Sequence, residues 1–272
     1  MNNNTNEYIN EINDRDPSQL GTKLEPPYFY GAFNSFQTTT NNPFASEGWI
    51  SHCHEMINNW NRQISFETPS HLNLIVEHIK KLLQTKYSLS VLDIGGGFGD
   101  NFFYIEKALG SLCKRINYLV VDNQTQCDFG INYYKDKNSN ISFATELANF
   151  NFDISIIIGT IQYIENWKHT IIEIAEITTG SIFIGRTPIN IEAPTFVTVQ
   201  SICPAFGSQA LTKIGESNLF VINDSELNLT LNRSGFLVKK SIFAEDYSAN
   251  FRRLPVNLQK IHYINKHYIK HN

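Results

Sequence analysis

The sequence of 272 residues contains few features that mark membrane, secreted or metal-binding proteins. No run of about eighteen apolar residues occurs, so we expect no membrane-spanning segment. The amino terminus has no basic start followed by an apolar stretch, which argues against a secretory signal. The few cysteines form no CxxC pair, which indicates reduced thiols in a cytoplasmic protein and no metal site. They are Cys53, Cys113, Cys127 and Cys203.

An excess of charge of one sign is also missing. The chain has 22 Lys and Arg against 26 Asp and Glu, a net charge of −4, which gives no electrostatic reason to expect nucleic acid as a partner. Hydrophobic residues make up 42% and charged residues 18%, which is typical of a globular protein. This length fits one large α/β domain with a small appendage.

The chain divides by composition into three segments. Residues 1–25 are polar and rich in Asn, which predicts a loose tail. Residues 26–66 are rich in aromatic side chains and are interpreted either as a small cap packed on the main domain or as a lid over an active site. Residues 67–272 form the main domain. The aromatic residues of the cap are Tyr28, Phe29, Tyr30, Phe33, Phe36, Phe44, Trp49 and Trp60.

Apolar runs alternate with helical patterns in the main domain. We predict helices that begin at Pro69 after a Thr68 cap and at a Ser225 cap, one that follows Asp100 as its cap and ends at Gly110, and one over 170–177. The alternation predicts a doubly wound, mostly parallel seven-stranded sheet with helices on both faces. The long connection 187–222 is a candidate substrate-binding insertion. The predicted strands are 90–94, 117–121, 141–144, 153–158, 181–185, 236–243 and 261–269.

A glycine-rich turn follows the first of these strands. Gly95, Gly97 and Gly99 stand between strand and helix, where the backbone can approach a ligand closely. The dinucleotide fingerprint GxGxxG requires its third glycine at position 100, but Asp100 stands there and would repel a pyrophosphate. The turn therefore favours a nucleoside cofactor without phosphate, such as S-adenosylmethionine (SAM).

Two acidic residues flank this turn. Asp93 precedes the first glycine by two residues and could accept hydrogen bonds from the ammonium group of such a cofactor. Asp122 ends the second strand, where a carboxylate can bind both ribose hydroxyls. Each feature alone is a weak signal, but their order along the chain predicts a SAM site.

These motifs resemble the class I, Rossmann-like SAM-dependent methyltransferases. VLDIGGGFGD at 91–100 looks like their glycine signature, YLVVD at 118–122 like their ribose-binding strand end, and FDISIIIGTIQYIENW at 152–167 like their fourth strand. The resemblance implies SAM as cofactor and S-adenosylhomocysteine as product. Glu146 is the nearest candidate for the adenine contact. The implied cofactor residues are Asp93, Gly95, Gly96, Gly97, Gly99, Asp122, Asn123, Gly159 and Thr160.

A narrower resemblance concerns the methyl acceptor. IGTIQYIENW at 158–167, IFIGRTPIN at 182–190 and TVQSICPAF at 198–206 resemble a group of methyltransferase-like proteins encoded with surface-polysaccharide biosynthesis genes. This resemblance implies a small-molecule acceptor and O-methylation of a sugar, a sugar nucleotide or a polysaccharide precursor.

The acceptor-side residues are expected after the fourth and fifth strands. Gln162 and Tyr163 could bind the acceptor or pack on the sheet, and Arg186 could bind a carboxylate or phosphate or anchor the insertion. Gln200 is a weaker candidate. The catalytic base is sought in the cap, at His54 or its neighbour His52. The C-terminal histidines, His262, His267 and His271, are expected to be solvated.

Two alternatives stay open at this point. A chain of this fold could bind a partner without catalysis, since no base is convincing. A nicotinamide-dependent oxidoreductase is opposed by Asp100 and by the lack of a Tyr-x-x-x-Lys pair. No Asp/Asn-Pro-Pro-Tyr motif follows the fourth strand, which argues against methylation of adenine in DNA.

Overall fold

The computed structural model describes residues 28–38, 42–62, 67–137, 139–147, 150–202, 214–244 and 250–271. The predicted tail at 1–25 and Cys203 lie outside these residues. The other three cysteines are free thiols and are buried. Within the described ranges, no helix combines the length and the apolar character needed to cross a membrane.

The helices on the two faces of the sheet follow the apolar spacing of the sequence. The helix predicted after Asp100 ends at Gly110 as expected. The helix predicted over 170–177 begins earlier, at Trp167, and two helices were not predicted, the first and the fourth. The helices are α1 (Glu47–Arg62), α2 (Ser70–Leu82), α3 (Asp100–Leu109), α4 (Gln124–Tyr134), α5 (Trp167–Ile177) and α6 (Asp224–Arg233).

Three predicted helix caps were wrong. Pro69 caps α2 without a side-chain hydrogen bond, and Thr68 lies outside the helix. The residue that caps α6 is Asn223, not Ser225, because the Asn223 side chain accepts hydrogen bonds from the N–H groups of Ser225 and Glu226 at 3.0 and 3.1 Å. At α3 the N-cap is Gly99, not Asp100.

All seven predicted strands are present, and the sheet of the described residues contains eleven. The strand count differs from the predicted seven because four strands were missed: one in the cap, two in the 187–222 segment and one at 250–253. The strands are β1 (Tyr28–Phe33), β2 (Leu89–Ile94), β3 (Ile116–Val121), β4 (Ile141–Ala144), β5 (Phe152–Ile158), β6 (Thr178–Asn190), β7 (Phe196–Ile202), β8 (Gly215–Asn223), β9 (Phe236–Phe243), β10 (Asn250–Arg253) and β11 (His262–Lys270).

The strand order divides the sheet into two parts. Along the sheet the order is β10-β1-β7-β8-β6-β5-β2-β3-β4. The parallel part contains β4, β3, β2, β5 and the first half of β6, and β11 pairs antiparallel with β6 and carries β9. The extension contains β10, β1, β7 and β8 and joins the end of β6 through Ile189 and Asn190. The described residues of the 187–222 segment therefore lie mostly in strands, at the end of β6 and in β7 and β8 of the extension.

The core has one layer on each face of the parallel part. Because successive side chains of a strand point to opposite faces, Val91 packs beneath α2 and α3 whereas Leu92 packs beneath α5 and α6. Both are fully buried. The prediction of helices on both faces is confirmed.

One of the C-terminal histidines contradicts the expectation of solvated side chains. His262 and His271 are exposed, but His267 is buried because β11 lies between β6 and β9. Its ring stacks on Phe183 with centroids 4.2 Å apart, and its Nε2 lies 3.2 Å from Ser181 Oγ.

Candidate functional site

The glycine turn joins β2 to α3 in a backbone conformation that favours glycine. The φ angles of Gly95, Gly97 and Gly99 are 65°, 55° and 91°, in the left-handed region where a Cβ atom is strained. Gly99 is the N-cap of α3, so the prediction that Asp100 caps this helix was wrong. Asp100 instead stands in the first turn, where a carboxylate interacts favourably with the helix dipole.

Asp93 lies directly behind this turn. Its side chain is fully buried and accepts hydrogen bonds from the Tyr118 hydroxyl at 2.7 Å and from Asn101 Nδ2 at 3.2 Å. A Cβ on Gly96 would collide with the Asp93 carboxylate. Burial raises the pKa of Asp93 to about 7, against the opposing hydrogen bond from Tyr118. The geometry makes Asp93 a support of the turn, and its contact with a cofactor stays a prediction.

Asp122 lies next to the glycine turn, directly after the end of β3. Its Oδ2 accepts a hydrogen bond from Gly97 N at 2.8 Å, and its Oδ1 accepts from Asn123 N at 2.7 Å and Asn123 Nδ2 at 2.9 Å. Asn123 is also the N-cap of α4 and accepts from Gln126 N at 3.2 Å. Since an ionised carboxylate offers about four lone-pair positions, the half-buried Asp122 keeps acceptor capacity for a ligand.

The space beside Gly97 is lined by oxygen atoms. A Cβ on Gly97 would lie 3.1 Å from Asp100 Oδ1 and 3.7 Å from Gln126 Oε1. Burial raises the pKa of Asp100 to about 6 and also raises the pKa of Asp122. We call the space beside Gly97 that Asp100, Asp122 and Gln126 surround the crevice. Its carboxylates favour a ligand with positive charge and would repel a pyrophosphate.

The aromatic cap is packed over this crevice. Gln126 is 2% exposed, donates from Nε2 to the Phe44 carbonyl at 3.3 Å, and accepts from Cys53 Sγ at 3.8 Å. Trp60 of α1 stacks on Phe103 of α3 with centroids 3.9 Å apart. Gln126 was not predicted from the sequence, although its place in the first turn of the helix after Asp122 was a usable signal.

Gly159 and Thr160 follow β5 on the other side of the turn. The Thr160 hydroxyl lies within hydrogen-bond distance of the carbonyl oxygens of Gly95, at 3.3 Å, and Ile158, at 3.1 Å. A Cβ on Gly95 would collide with the Thr160 side chain. Gly159 has a φ of 66°. The glycine turn and the loop after β5 therefore form one wall, and the contact of Gly159 and Thr160 with a cofactor stays a prediction.

The predicted acceptor-side residues come together next to this wall. The Tyr163 hydroxyl donates to Gln200 Oε1 at 2.6 Å, which joins the loop after β5 to the extension. The Phe44 ring meets the Tyr163 ring edge-on at 5.1 Å, so the cap also reaches this place. Gln162 is 4% exposed and donates from Nε2 to the Arg186 carbonyl at 3.3 Å.

The two cap histidines differ in position. His54 is exposed and its ring meets Phe129 edge-on at 4.8 Å. His52 is half-buried, its ring lies 5.3 Å from Trp49, and burial lowers its pKa, against the opposing effect of Glu55. Because residues three and four apart share a helix face, His52 lies on the same side as the inward-facing Trp49. The spacing His-Cys-His could not distinguish the two.

Glu146, the candidate for the adenine contact, follows β4 and is exposed. Its role stays a prediction. The described residues contain no group of three or more His, Cys, Asp or Glu placed to hold a metal ion.

Comparisons with known proteins agree with this fold. No protein-family model matches the sequence, and no curated protein matches it. A SAM-dependent methyltransferase from Clostridium acetobutylicum ATCC 824 matches in structure with a TM-score of 0.53 and 11% identity, over 83% of this chain and 99% of that chain. The 1,6-didemethyltoxoflavin-N1-methyltransferase of Burkholderia thailandensis matches with a TM-score of 0.52 and 12% identity, over 92% of this chain and 98% of that one.

At these identities the similarity concerns the fold. This chain combines a parallel part, helices on both of its faces and a glycine turn after β2 with the extension of β10, β1, β7 and β8. The chain therefore has the mixed α/β, Rossmann-like fold of the SAM-dependent methyltransferases.

Proposed function

We propose that this protein transfers a methyl group from SAM to a small-molecule acceptor. The observation that carries the proposal is the crevice beside Gly97, which the carboxylates of Asp100 and Asp122 line at the end of β2 and β3. SAM carries a sulfonium and an ammonium group and no phosphate, so it fits an acidic crevice that would repel a dinucleotide.

The predicted cofactor residues would have distinct roles around this crevice. Asp122 would hold the ribose hydroxyls, and Asn123 keeps the Asp122 carboxylate in position. Asp93 and Gly96 would support the turn from behind. Gly159 and Thr160 would line the sulfonium end, because they form the wall that faces Gly95.

The chemistry is an in-line displacement at the methyl carbon. A lone pair of the acceptor forms the new bond to carbon, the carbon–sulfur bond breaks, and its electrons remain on the sulfur of S-adenosylhomocysteine. The acceptor loses one proton. Such an enzyme must align the reacting atoms and exclude water, which the packed aromatic cap around Phe44 and Trp49 would help to do.

We further propose an oxygen acceptor on a sugar, a sugar nucleotide or a polysaccharide precursor, as the motifs at 158–206 imply. Gln162, Tyr163 and Arg186 would bind this acceptor at the ends of β5 and β6. A hydroxyl acceptor needs a base, and the candidates are the predicted His54 and the better placed His52, which is half-buried beside Trp49.

Calorimetry with S-adenosylhomocysteine and with NAD tests the cofactor assignment. We expect the former to bind and the latter not to bind. Tight NAD binding without binding of the homocysteine nucleoside would reverse the assignment to an oxidoreductase.

Mass spectrometry of cell extract incubated with isotopically labelled SAM and the protein tests the transfer itself. A labelled product would identify the acceptor. If the protein binds SAM but labels nothing in extract or in a panel of nucleotide sugars and phosphosugars, the alternative of a non-catalytic binding protein would replace the proposal.

A further inference from the structure

Arg186 has a backbone conformation that a residue with a side chain rarely adopts. Its φ is 49°, and among the described residues it is the single non-glycine residue with a positive φ. Such outliers persist where the surrounding structure holds them, and they concentrate at ligand-binding sites. The backbone conformation of Arg186 therefore indicates a functional position.

A β-bulge produces this conformation. The register between β11 and β6 shifts so that Gly185 and Arg186 stand opposite Asn265 alone. The Arg186 N–H donates to Asn265 Oδ1 at 3.0 Å, and the Arg186 carbonyl accepts from Gln162 Nε2 at 3.3 Å. Both amide side chains are 4% exposed. Two buried side chains thus hold the bulge, and bulges commonly re-aim a side chain next to an active site.

The bulge places Arg186 beside the loop after β5, where its positive charge also acts on Asp100 and opposes the rise in the pKa of that carboxyl. Every other residue from 181 to 190 is buried, whereas Arg186 is half-buried. The Arg186 Cβ lies 4.0 Å from the position of a Cβ on Gly159, next to the proposed sulfonium end. β6 lies on the far side of β5 from the glycine turn, whereas the proposed ribose ligand Asp122 ends β3 on the near side.

Gln162 adds a second polar group at the same place. Its Oε1 is buried and has no hydrogen-bond partner among the described residues. Because the Gln162 Nε2 atom is committed to the Arg186 carbonyl, the orientation of the amide is fixed and Oε1 is left as an acceptor. Buried polar atoms are normally hydrogen-bonded, so we expect a ligand to donate a hydrogen bond to this oxygen.

We propose that Arg186 and Gln162 form an anion subsite for the methyl acceptor. The acceptor would carry a carboxylate or a phosphate, which the guanidinium can bind in a bidentate manner, and a neighbouring O–H or N–H group that donates to Gln162 Oε1. This inference rests on the proposed function, and it restricts the acceptor to an acidic or phosphorylated small molecule.

Titration of inorganic phosphate into the protein saturated with S-adenosylhomocysteine tests the subsite. We expect Arg186→Gln to weaken phosphate binding at least tenfold and Arg186→Lys to weaken it less, because Lys keeps the charge but not the planar fork. The matched control is Arg233→Gln at an exposed arginine of α6, which should leave the affinity unchanged. Phosphate that binds neither form, or binds wild type and Arg186→Gln alike, would overturn the proposal.

A neutral and an anionic sugar extend the test to the acceptor. D-glucuronate should bind wild type more tightly than D-glucose does, and Arg186→Gln should remove this difference. Equal binding of the two sugars to wild type would contradict the anion subsite.

The affinity for S-adenosylhomocysteine separates this inference from the cofactor assignment. We expect Arg186→Gln to keep that affinity within twofold. If the affinity falls and the nucleoside competes with phosphate, Arg186 binds the carboxylate of the cofactor and the acceptor subsite is wrong. If wild type binds no nucleoside, the proposed function fails, while the phosphate titration without nucleoside still decides whether Arg186 binds anions.

Arg186→Gly excludes a purely structural role. Glycine adopts this φ without strain, so we expect a melting temperature equal to that of wild type or a few degrees higher, together with the loss of phosphate binding. A lower melting temperature would show that the side chain anchors the fold, and this would overturn the proposal.

Discussion

Strand β5 of the parallel part and strands β7 and β8 of the extension differ in what they bury. In β5 of the parallel part, Ser155 is the one polar residue among the buried side chains of Ile154, Ile156 and Ile157. The extension buries polar side chains from both β7 and β8. They are Thr198, Gln200, Ser201 and Asn218.

The partners of these polar side chains tie the extension to other segments. Asn218 makes two hydrogen bonds to the backbone of Gln37, at 2.7 and 2.9 Å. Gln200 accepts from Tyr163, in the loop after β5. A buried polar group is costly unless it is hydrogen-bonded, so such groups favour one particular arrangement of neighbours. We therefore expect the parallel part to determine cofactor binding, and the contacts between its loops and the extension to contribute to acceptor choice.

The largest effect is expected in the parallel part, from Gly95→Ala. The new Cβ would meet Thr160 at a positive φ, and we expect a loss of about 2–4 kcal/mol in the free energy of unfolding. Chemical denaturation measures it. The matched control is Gly235→Ala, where φ is 83° but the nearest atom is the end of a Lys270 side chain at 3.8 Å. Its cost should be about 1 kcal/mol. Equal losses for both variants would contradict a close packing between the turn and the loop after β5.

The buried histidine pair should make the parallel part sensitive to acid. Ser181 Oγ lies 2.9 Å from His78 Nε2 and 3.2 Å from His267 Nε2. Burial, followed by the effect of positively charged neighbours, lowers the pKa of His78 to about 4 and that of His267 to about 3. The charged groups that act on the pair are Lys81 of α2 and Lys239 and Lys240 of β9.

The sign follows from the protons bound by each state. In the unfolded chain these histidines have the ordinary pKa of 6.5 and bind protons below pH 6.5, whereas in the folded protein they stay neutral. The free energy of unfolding therefore decreases as the pH is lowered below 6.5. Between pH 6.5 and pH 4, wild type should lose about 3 kcal/mol more than His267→Gln. The comparison with this variant removes the contribution of the other titrating groups. Parallel stability curves for the two proteins would contradict the prediction.

A smaller effect is expected at the cofactor seat itself. Asp122→Ala should weaken the binding of S-adenosylhomocysteine by about 1–3 kcal/mol, because buried polar partners lose their acceptor. Calorimetry measures it, with Asp128→Ala at an exposed position of α4 as control. An unchanged affinity would remove Asp122 from the site.

The smallest effect is expected where the loop after β5 meets the extension. Tyr163→Phe removes the donor to Gln200. It should lower kcat/KM for the acceptor roughly fivefold, which corresponds to a loss of about 1 kcal/mol in transition-state stabilisation, and should leave the nucleoside affinity unchanged. A loss of nucleoside affinity of the same size would remove the proposed division between the two parts of the sheet.

The two parts also differ in how well the sequence predicted them. The strands of the parallel part are apolar runs bounded by turn residues, and all of them were predicted. The missed β1, β7 and β8 lack such a pattern, because β1 is mainly aromatic, β7 mixes apolar residues with Thr, Gln and Ser, and β8 begins with polar residues. His267 was expected to be solvated because charged residues surround it in the sequence, and it is buried because two strands flank β11.

The sequence by itself determined the order of strand, acid, glycine turn, helix, strand and acid, since each of these elements depends on side chains close together in the chain. Only the tertiary structure decided which residues meet across the chain. The bulge at Arg186 requires the register of β11 against β6, and the contact between Gln126 and the cap joins residues far apart in sequence. Local patterns specify local conformation, whereas these contacts depend on how the strands and helices are packed against one another.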